Sequence, residues 1–235
     1  MNLLLHFYQP PNQKSEILKK VVSESYEPIV ALLERNPRAK IFINIQPRFL
    51  QRLLNEYPEL VNRVKKLLDK QQIKITATSK SHTVLPLLPD VEIKYQIEEG
   101  ERILKEILGQ NWQPELFFPP EIAVNYNIYK SYPPTGEAGN NYKILTRENL
   151  NLDFIKALRD GIVNTENLQK MPFDPEKMIA VDAEVFGHHY RDRLEWLLQY
   201  MENFQSPISN LQFPISNFQS PIYVLGGREL VERRG

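Results

Sequence analysis

The chain has 235 residues, of which 42% are hydrophobic and 10% aromatic, so it is long enough to bury the core of one domain. Its 29 basic and 29 acidic residues balance, which argues against the basic surfaces typical of proteins that bind nucleic acids or anionic membranes. It has no cysteine, which excludes disulfides and thiolate metal sites.

The amino terminus is apolar but short. The run from Met1 to Leu5 is followed at once by His6 and soon after by Pro10. Signal peptides and membrane spans both need a longer apolar stretch. We therefore expect a cytoplasmic protein that binds neither membranes nor nucleic acids; its oligomeric state is not indicated by the sequence.

Apolar runs alternate with stretches of helical spacing through the first half of the chain. We predict strands at 2–5, 39–45, 73–78 and 116–118, and helices from Ser15, from Pro47 and over about 91–108. Pro28 should begin a second helical segment, and Pro58 should break the next helix near Tyr57. Connections of this length allow parallel crossovers, so the pattern predicts an α/β fold, either layered or barrel-shaped.

The second half of the chain is less regular. Between 125 and 171 we predict only a short strand at 142–145 and a helix near 153–158. This segment is either an insertion on the substrate side or an ordinary connection. The apolar run at 178–184 predicts the central strand, and a helix around Trp196 should follow it.

A heptad containing proline follows that helix. The sequence Phe204-Gln205-Ser206-Pro207-Ile208-Ser209-Asn210 recurs with changes up to Ile222. A coiled coil is excluded, because each proline removes a helical hydrogen bond. We expect residues 1–203 to form the main domain, 204–222 to be a low-complexity insertion without a catalytic role, and 223–235 to hold one further strand at the chain end.

Four polar clusters directly follow apolar runs. They are the segments from His6 to Pro10, Thr78 to His82, Pro119 to Glu121, and Asp182 to His189. Parallel strands present their carboxyl ends at one rim, so we expect the clusters to meet there. On an extended strand Asp182 and Glu184 would point the same way, although a solvated strand end is the alternative interpretation of this pair taken alone.

Paired carboxylates on neighbouring strand ends suit cleavage of a glycosidic bond. One carboxylate attacks the anomeric carbon while the other, held protonated, donates its proton to the leaving oxygen and later activates water. The paired carboxylates therefore indicate a glycosidase as one interpretation of the polar clusters at the strand ends.

The clusters resemble signature regions of glycoside hydrolase family 57. In order, the first, third and fourth regions are similar to His6-Phe7-Tyr8-Gln9-Pro10, to Phe118-Pro119-Pro120-Glu121 and to Asp182-Ala183-Glu184-Val185-Phe186-Gly187-His188-His189. The segment from His82 to Leu88 looks like the one that follows the second region. The resemblance reaches from Met1 to about Tyr200 and implies an incomplete (β/α)7 barrel of the glycoside hydrolase/deacetylase type, truncated at its carboxyl end.

The resemblance also implies roles for individual residues. Glu121 matches the nucleophile and Asp182 the general acid/base of a retaining mechanism, which needs carboxyl groups about 5–5.5 Å apart. Five further residues would line the sugar subsites: His6, Gln9, His82, Glu184 and His188. Trp112 and Tyr126 are either stacking residues for sugar rings or ordinary packing residues.

These roles predict a retaining glycoside hydrolase or glucanotransferase that acts on α-glucans and binds an oligo- or polysaccharide. One alternative is an inactive, truncated carbohydrate-binding relic of the same family. A lesser alternative is a metal-dependent enzyme similar to polysaccharide deacetylases, with His6, His82 and His188 as ligands. Such sites need an aspartate and two histidines at short spacing, and His188 and His189 would point to opposite faces of a strand. We therefore predict no metal and no cofactor.

Overall fold

The structure is a computed structural model that describes residues 2–125, 127–128, 143–160, 170–171 and 174–203. Tyr126, the proline heptad at 204–222 and the strand expected after it lie outside the described residues.

Parallel strands form the centre of the fold. The described strands are β1 (Asn2–Phe7), β2 (Ile41–Ile45), β3 (Ile73–Ile75), β4 (Leu116–Phe117), β5 (Lys143–Ile144) and β6 (Met178–Asp182). Four of them make a sheet in the order β3-β2-β1-β6, and β4 pairs with β5. This is the α/β class with parallel pairing that the alternation of elements predicts.

Two isolated bridges connect the two sheets. Ala77, just beyond β3, pairs in parallel with Phe117 of β4. Leu150, beyond β5, pairs in parallel with Met178 of β6. Strand pairing therefore continues from β1 through β5 and back to β6, and the strands follow one another around a barrel.

Helices surround these strands. The described α-helices are α1 (Ser15–Val21), α2 (Glu27–Arg35), α3 (Pro47–Glu56), α4 (Pro58–Asp69), α5 (Asp90–Leu108), α6 (Leu152–Asp160) and α7 (Arg193–Asn203). Pro28, Pro47 and Pro58 stand in the first turns of α2, α3 and α4, where the missing N–H removes no helical hydrogen bond. The predicted break near Tyr57 is confirmed, since α3 ends at Glu56. No helix within the described ranges combines the length and the apolar character needed to cross a bilayer.

One helical feature has no counterpart in the predictions. Residues Val22–Tyr26 form a π-helical turn between α1 and α2, and the N–H of Glu27 donates to the carbonyl of Val22. The turn leaves no trace in the hydrophobic periodicity, because its buried residues continue the apolar face of the neighbouring helices.

The two faces of the strands bury two different clusters. Leu3, Leu5 and Phe7 belong to the larger cluster, which fills the space between strands and helices. Leu4 belongs to a smaller cluster built with residues from β2, β4 and β6, inside the barrel. Because side chains alternate along a strand, His6 shares the inner face with Leu4. His6 is therefore the last inward-facing residue of β1, and it lies at the carboxyl end of the barrel strands.

Several predicted strand ends are wrong, and β3 and β6 in particular end two or more residues early. β3 ends at Ile75, before the predicted limit of Thr78. β6 ends at Asp182, and Ala183–Val185 form a 3₁₀ turn in place of the last two strand residues. The 3₁₀ turn is stabilised by a hydrogen bond from the N–H of Phe186 to the carbonyl of Ala183, which an extended chain could not make.

Candidate active site

The register of the central strands places three polar side chains in one layer. His6 of β1 pairs with Asn44 of β2 on one side and with Asp182 of β6 on the other. All three residues sit at or next to the carboxyl ends of their strands, two positions beyond the inward-facing apolar layer that contains Leu4. In open and closed α/β folds this end of the strands is where loops form the binding site.

A cleft of about 820 Å³ opens above this layer. Its walls include all seven residues singled out from the sequence: His6, Gln9, His82, Glu121, Asp182, Glu184 and His188. The loops after β1, β3, β4 and β6 therefore converge on one concave surface, which is large enough for several sugar rings.

A line of hydrogen bonds crosses the floor of the cleft. Asn44, fully buried, donates from Nδ2 to the Thr76 hydroxyl at 2.7 Å and accepts from His6 Nδ1 at 2.7 Å. The Nε2 atoms of His6 and His82 are 3.1 Å apart. His82 Nδ1 then lies 3.7 Å from Oε1 of Glu121. The hydrogen bonds therefore run from Thr76 to His82, and Glu121 lies just beyond hydrogen-bond distance of their end.

Both histidines stay neutral over most of the pH range. Burial lowers the pKa of His6 to about 4, and the hydrogen bond to Asn44 opposes this only in part. Burial is also the main cause that lowers the pKa of His82 to about 4, and the electrostatic effect of His6 is the second cause. Neutral imidazoles can donate and accept hydrogen bonds at once, which suits the hydroxyl groups of a sugar.

Glu121 lies on a strained turn. It follows Pro119 and Pro120 within the 3₁₀ segment Pro120–Ile122, with φ of +59°. Ile122 also has a positive φ, +53°, which a β-branched residue adopts only at a cost of about 1–3 kcal/mol. The strain is tolerated because Ile122 is buried in the inner cluster. Strained backbone of this kind is concentrated at functional sites.

The charge of one candidate catalytic carboxyl acts on the other. Burial and then the charge of Asp182 raise the pKa of Glu121. Asp182 is exposed to solvent within the cleft. Desolvation by the surrounding cleft walls nevertheless raises its pKa, although His82, His189 and Arg159 act in the opposite direction. The charge of Asp182 therefore disfavours ionisation of Glu121. Their predicted separation of about 5–5.5 Å stays a prediction.

Glu184 is the most enclosed acid of the site, with 5% of its surface exposed. Its Oε1 accepts hydrogen bonds from the hydroxyl of Tyr26 and from Nε2 of Gln9, the latter at 2.6 Å. Gln13 donates to Oε1 of Gln9 at 2.9 Å and so orients the Gln9 amide. Burial raises the pKa of Glu184 to about 7, against the lowering effect of Tyr26.

The segment after β6 reaches the cleft differently from the prediction. Asp182 is on the strand, but Glu184 is on the 3₁₀ turn, so the pair does not share the face of one extended strand. His188 and His189 lie in a turn, and both line the cleft with ring centroids 5.3 Å apart. The expectation that they point to opposite faces is therefore wrong, because it assumed an extended chain.

Several residues of the site were not predicted from the sequence. Tyr8 lines the cleft and stacks on His82 with centroids 4.3 Å apart, and it stands between His6 and Gln9 in a segment that was already singled out. Asn44 follows the alternation of β2 and could have been found from it. Tyr26 could not, because its helix resembles any other amphipathic helix.

Trp112 lies outside the cleft. It is 6% exposed and donates from Nε1 to the carbonyl of Ile75 at 3.2 Å. Of the two interpretations given to this residue, the structure supports packing. Tyr126, the other aromatic candidate, is outside the described residues.

The described part of the chain brings together no group of three or more His, Cys, Asp or Glu side chains suited to a metal ion. His6 and His82 face each other through their Nε2 atoms, and His188 Nδ1 is bonded to Glu24 Oε2 at 2.6 Å. Convergent ligation by His6, His82 and His188 is therefore not seen. That the site works without a metal stays a prediction.

Comparison with known proteins identifies a family. A model of glycosyl hydrolase family 57 matches residues 4–145, which is more than half of the chain. An α-amylase from Pyrococcus horikoshii is 21% identical over 234 residues and is aligned with 86% of this chain. The chain spans only 37% of the length of that amylase.

Solved structures show the same fold. A 4-α-glucanotransferase from Thermococcus litoralis superposes with a TM-score of 0.69 at 17% identity, covering 88% of this chain and 38% of its own length. A family 4 carbohydrate esterase from Streptomyces lividans superposes with a TM-score of 0.57 at 12% identity, over 86% of this chain and 85% of its own. At these identities the likeness concerns the barrel architecture alone, and it agrees with the fold class predicted from the sequence.

Proposed function

The chain belongs to glycosyl hydrolase family 57, and we propose that it cleaves the glycosidic bonds of α-glucans by a retaining mechanism. Glu121 is the nucleophile and Asp182 the general acid/base. The observation that carries the proposal is that these two carboxyls line one cleft and that the charge of Asp182 raises the pKa of Glu121. The substrate is an oligo- or polysaccharide, as it is for the amylase and glucanotransferase relatives whose names describe action on such chains.

In the first step Glu121, ionised, attacks the anomeric carbon while Asp182 gives its proton to the glycosidic oxygen. The bond from the anomeric carbon to that oxygen breaks, and a glycosyl ester of Glu121 remains. In the second step Asp182, now ionised, takes a proton from water or from a sugar hydroxyl, whose oxygen attacks the anomeric carbon and releases Glu121. The acceptor decides between hydrolysis and transfer.

The remaining polar residues of the cleft contact the substrate. His82, held neutral by burial, and Gln9 supply hydrogen bonds to sugar hydroxyls. Glu184 and His188 do the same from the segment after β6. His6 lines the cleft and, with its two ring nitrogens bonded to Asn44 and to His82, holds the His82 ring in place. The partly exposed ring of Tyr8, which rests on His82, offers an apolar face to a pyranose ring.

An assay of reducing ends released from maltooligosaccharides tests the proposal. We expect Glu121→Gln and Asp182→Asn to lower kcat/KM on the order of 10³-fold or more. Glu115→Gln is the matched control, because Glu115 is exposed, pairs with Lys74 and lies outside the cleft. NMR of the first product should show the α-anomer.

The leaving group separates the two roles. On an aryl maltooligoside with an acidic phenol, Asp182→Asn should keep much more activity than on maltooligosaccharides, because that leaving group needs little protonation. Glu121→Gln should fail on both substrates. Activity that survives Glu121→Gln, or a first product of inverted configuration, would overturn the assignment. A folded wild type without activity on any α-glucan would favour the carbohydrate-binding relic.

A further inference from the structure

We propose that the π-helical turn Val22–Tyr26 positions the segment that follows β6, and that Tyr26 is the residue that orients Glu184. The effect on catalysis rests on the proposed function. The orientation of Glu184 does not, so it can be tested separately.

Three consecutive residues of the turn bond to this segment. Oε2 of Glu24 lies 2.6 Å from Nδ1 of His188. The hydroxyl of Ser25 donates to the carbonyl of Ala183 at 2.7 Å, and the hydroxyl of Tyr26 donates to Oε1 of Glu184. These contacts join positions about 160 residues apart in the sequence, a separation of 158 for Ser25 and for Tyr26.

The π geometry explains how neighbours in sequence can reach one partner. An α-helix rotates by about 100° per residue, so three successive side chains spread over about 200°. Hydrogen bonds of the i→i+5 type widen the turn and reduce this rotation. The bond from the N–H of Glu27 to the carbonyl of Val22 is of that type. Single π turns within helices are frequent at functional sites.

The two backbones also approach closely. A Cβ placed on Gly187 would lie 1.9 Å from the carbonyl oxygen of Glu24, and Gly187 has a φ of +104°. Only glycine therefore allows the segment after β6 to pass the turn at this distance. The contact fixes the position of the loop between Glu184 and His188.

The hydrogen bonds on Glu184 fix the orientation of its carboxyl group. Tyr26 and Gln9 both donate to Oε1, so these two side chains fix that oxygen and leave Oε2 on the other side of the carboxyl group. Tyr26 is fully buried, and its ring stacks on Phe7 with centroids 4.5 Å apart, so the hydroxyl cannot swing away. The carbonyl of Tyr8 is a poorer partner for that hydroxyl, at 3.3 Å.

The titratable groups that act on Glu184 are Tyr26 from the π turn and Asp182 from β6, while Gln9 from the β1 loop acts as a neutral donor. Removing the Tyr26 hydroxyl should destabilise the ionised carboxylate and leave its orientation less restricted.

The test is a titration of glutamate carboxyls by carbon NMR on the full chain, with the Glu184 signal assigned by its loss in Glu184→Gln. We expect Tyr26→Phe to shift the titration of Glu184 upward by about one pH unit, since the carboxylate loses a strong donor. Tyr57→Phe, a tyrosine outside the cleft, is the matched control and should leave it unchanged. An unshifted Glu184 in folded Tyr26→Phe overturns the inference.

Enzyme activity provides a second measurement. In an active enzyme Tyr26→Phe should lower kcat about 10-fold and move the basic or acidic limb of the pH profile, whereas Tyr57→Phe should change neither. A wild type without activity refutes the proposed function and leaves the titration to decide the inference.

If Tyr26→Phe does not fold, the hydrogen bond from Tyr26 to Glu184 can be tested by changing Glu184 instead. The hydroxyl proton of Tyr26, shielded from water, should give a downfield signal that moves upfield in Glu184→Gln, where an amide oxygen replaces the carboxylate. An unmoved signal contradicts the inference.

Discussion

The Nε2 atoms of His6 and His82 lie 3.1 Å apart, so one ring donates a hydrogen bond to the other. The direction of this hydrogen bond follows from the contact that His6 makes with Asn44 through its other ring nitrogen. Asn44 donates one hydrogen bond from Nδ2 to the Thr76 hydroxyl and turns its oxygen toward His6, so the proton of neutral His6 is on Nδ1. His6 then accepts at Nε2, and His82 donates from its own Nε2.

Asn44→Leu should therefore destabilise the protein by about 2–4 kcal/mol, because it leaves the buried Nδ1–H of His6 without an acceptor. Thr76→Val should cost less, about 1 kcal/mol, since the contact from Asn44 to His6 persists. Urea unfolding measures both. Nitrogen NMR of the imidazoles should show His6 protonated on Nδ1 and His82 on Nε2 in the wild type; the reverse tautomers would contradict the assignment.

Glu184→Gln should change the dependence of stability on pH. The pKa of Glu184 is about 7 in the folded protein against 4.5 for the free group, so the folded state holds an extra proton between these values. Stability contributed by this group is present at low pH and is lost as pH rises from 4.5 to 7. Glutamine mimics the protonated acid and keeps an acceptor for Tyr26 and Gln9.

Glu184→Gln should therefore exceed the wild type in stability by up to about 3 kcal/mol above pH 7, and the two should converge near pH 4.5. His6 and His82, whose lowered pKa values remove stability as pH falls from 6.5 toward 4, act equally in both proteins and cancel in the difference. Thermal or urea unfolding at several pH values measures it. A difference that is constant with pH would show that Glu184 is not the group responsible.

Gly187→Ala should destabilise the protein by at least about 2 kcal/mol more than Gly109→Ala. Both glycines have a positive φ, +104° and +114°, so both substitutions strain the backbone. An added Cβ meets the Glu24 carbonyl at Gly187 and finds nothing within 4 Å at Gly109. The difference in the free energy of unfolding isolates the close approach of the π turn; equal losses would mean that this contact relaxes freely.

Much of the fold follows from local pattern. Alternating apolar runs and helical spacing determine the parallel α/β order, because burial of one face requires a period of 2 in strands and 3.6 in helices. The same alternation turns His6 and Asn44 inward above the apolar layer. The prolines in the first turns of α2, α3 and α4 act on the local backbone. The start of each helix can therefore be predicted without knowing which elements pack against it.

Other features depend on contacts between distant segments. The sequence by itself determined the order of the elements and the polar clusters at their ends, since both arise from neighbours along the chain. Only the tertiary structure decided the π turn, the 3₁₀ turn after Asp182 and the bond from Tyr26 to Glu184. Each of these departs from regular geometry to satisfy a partner far away in sequence, and the periodicity of one segment holds no information about that partner.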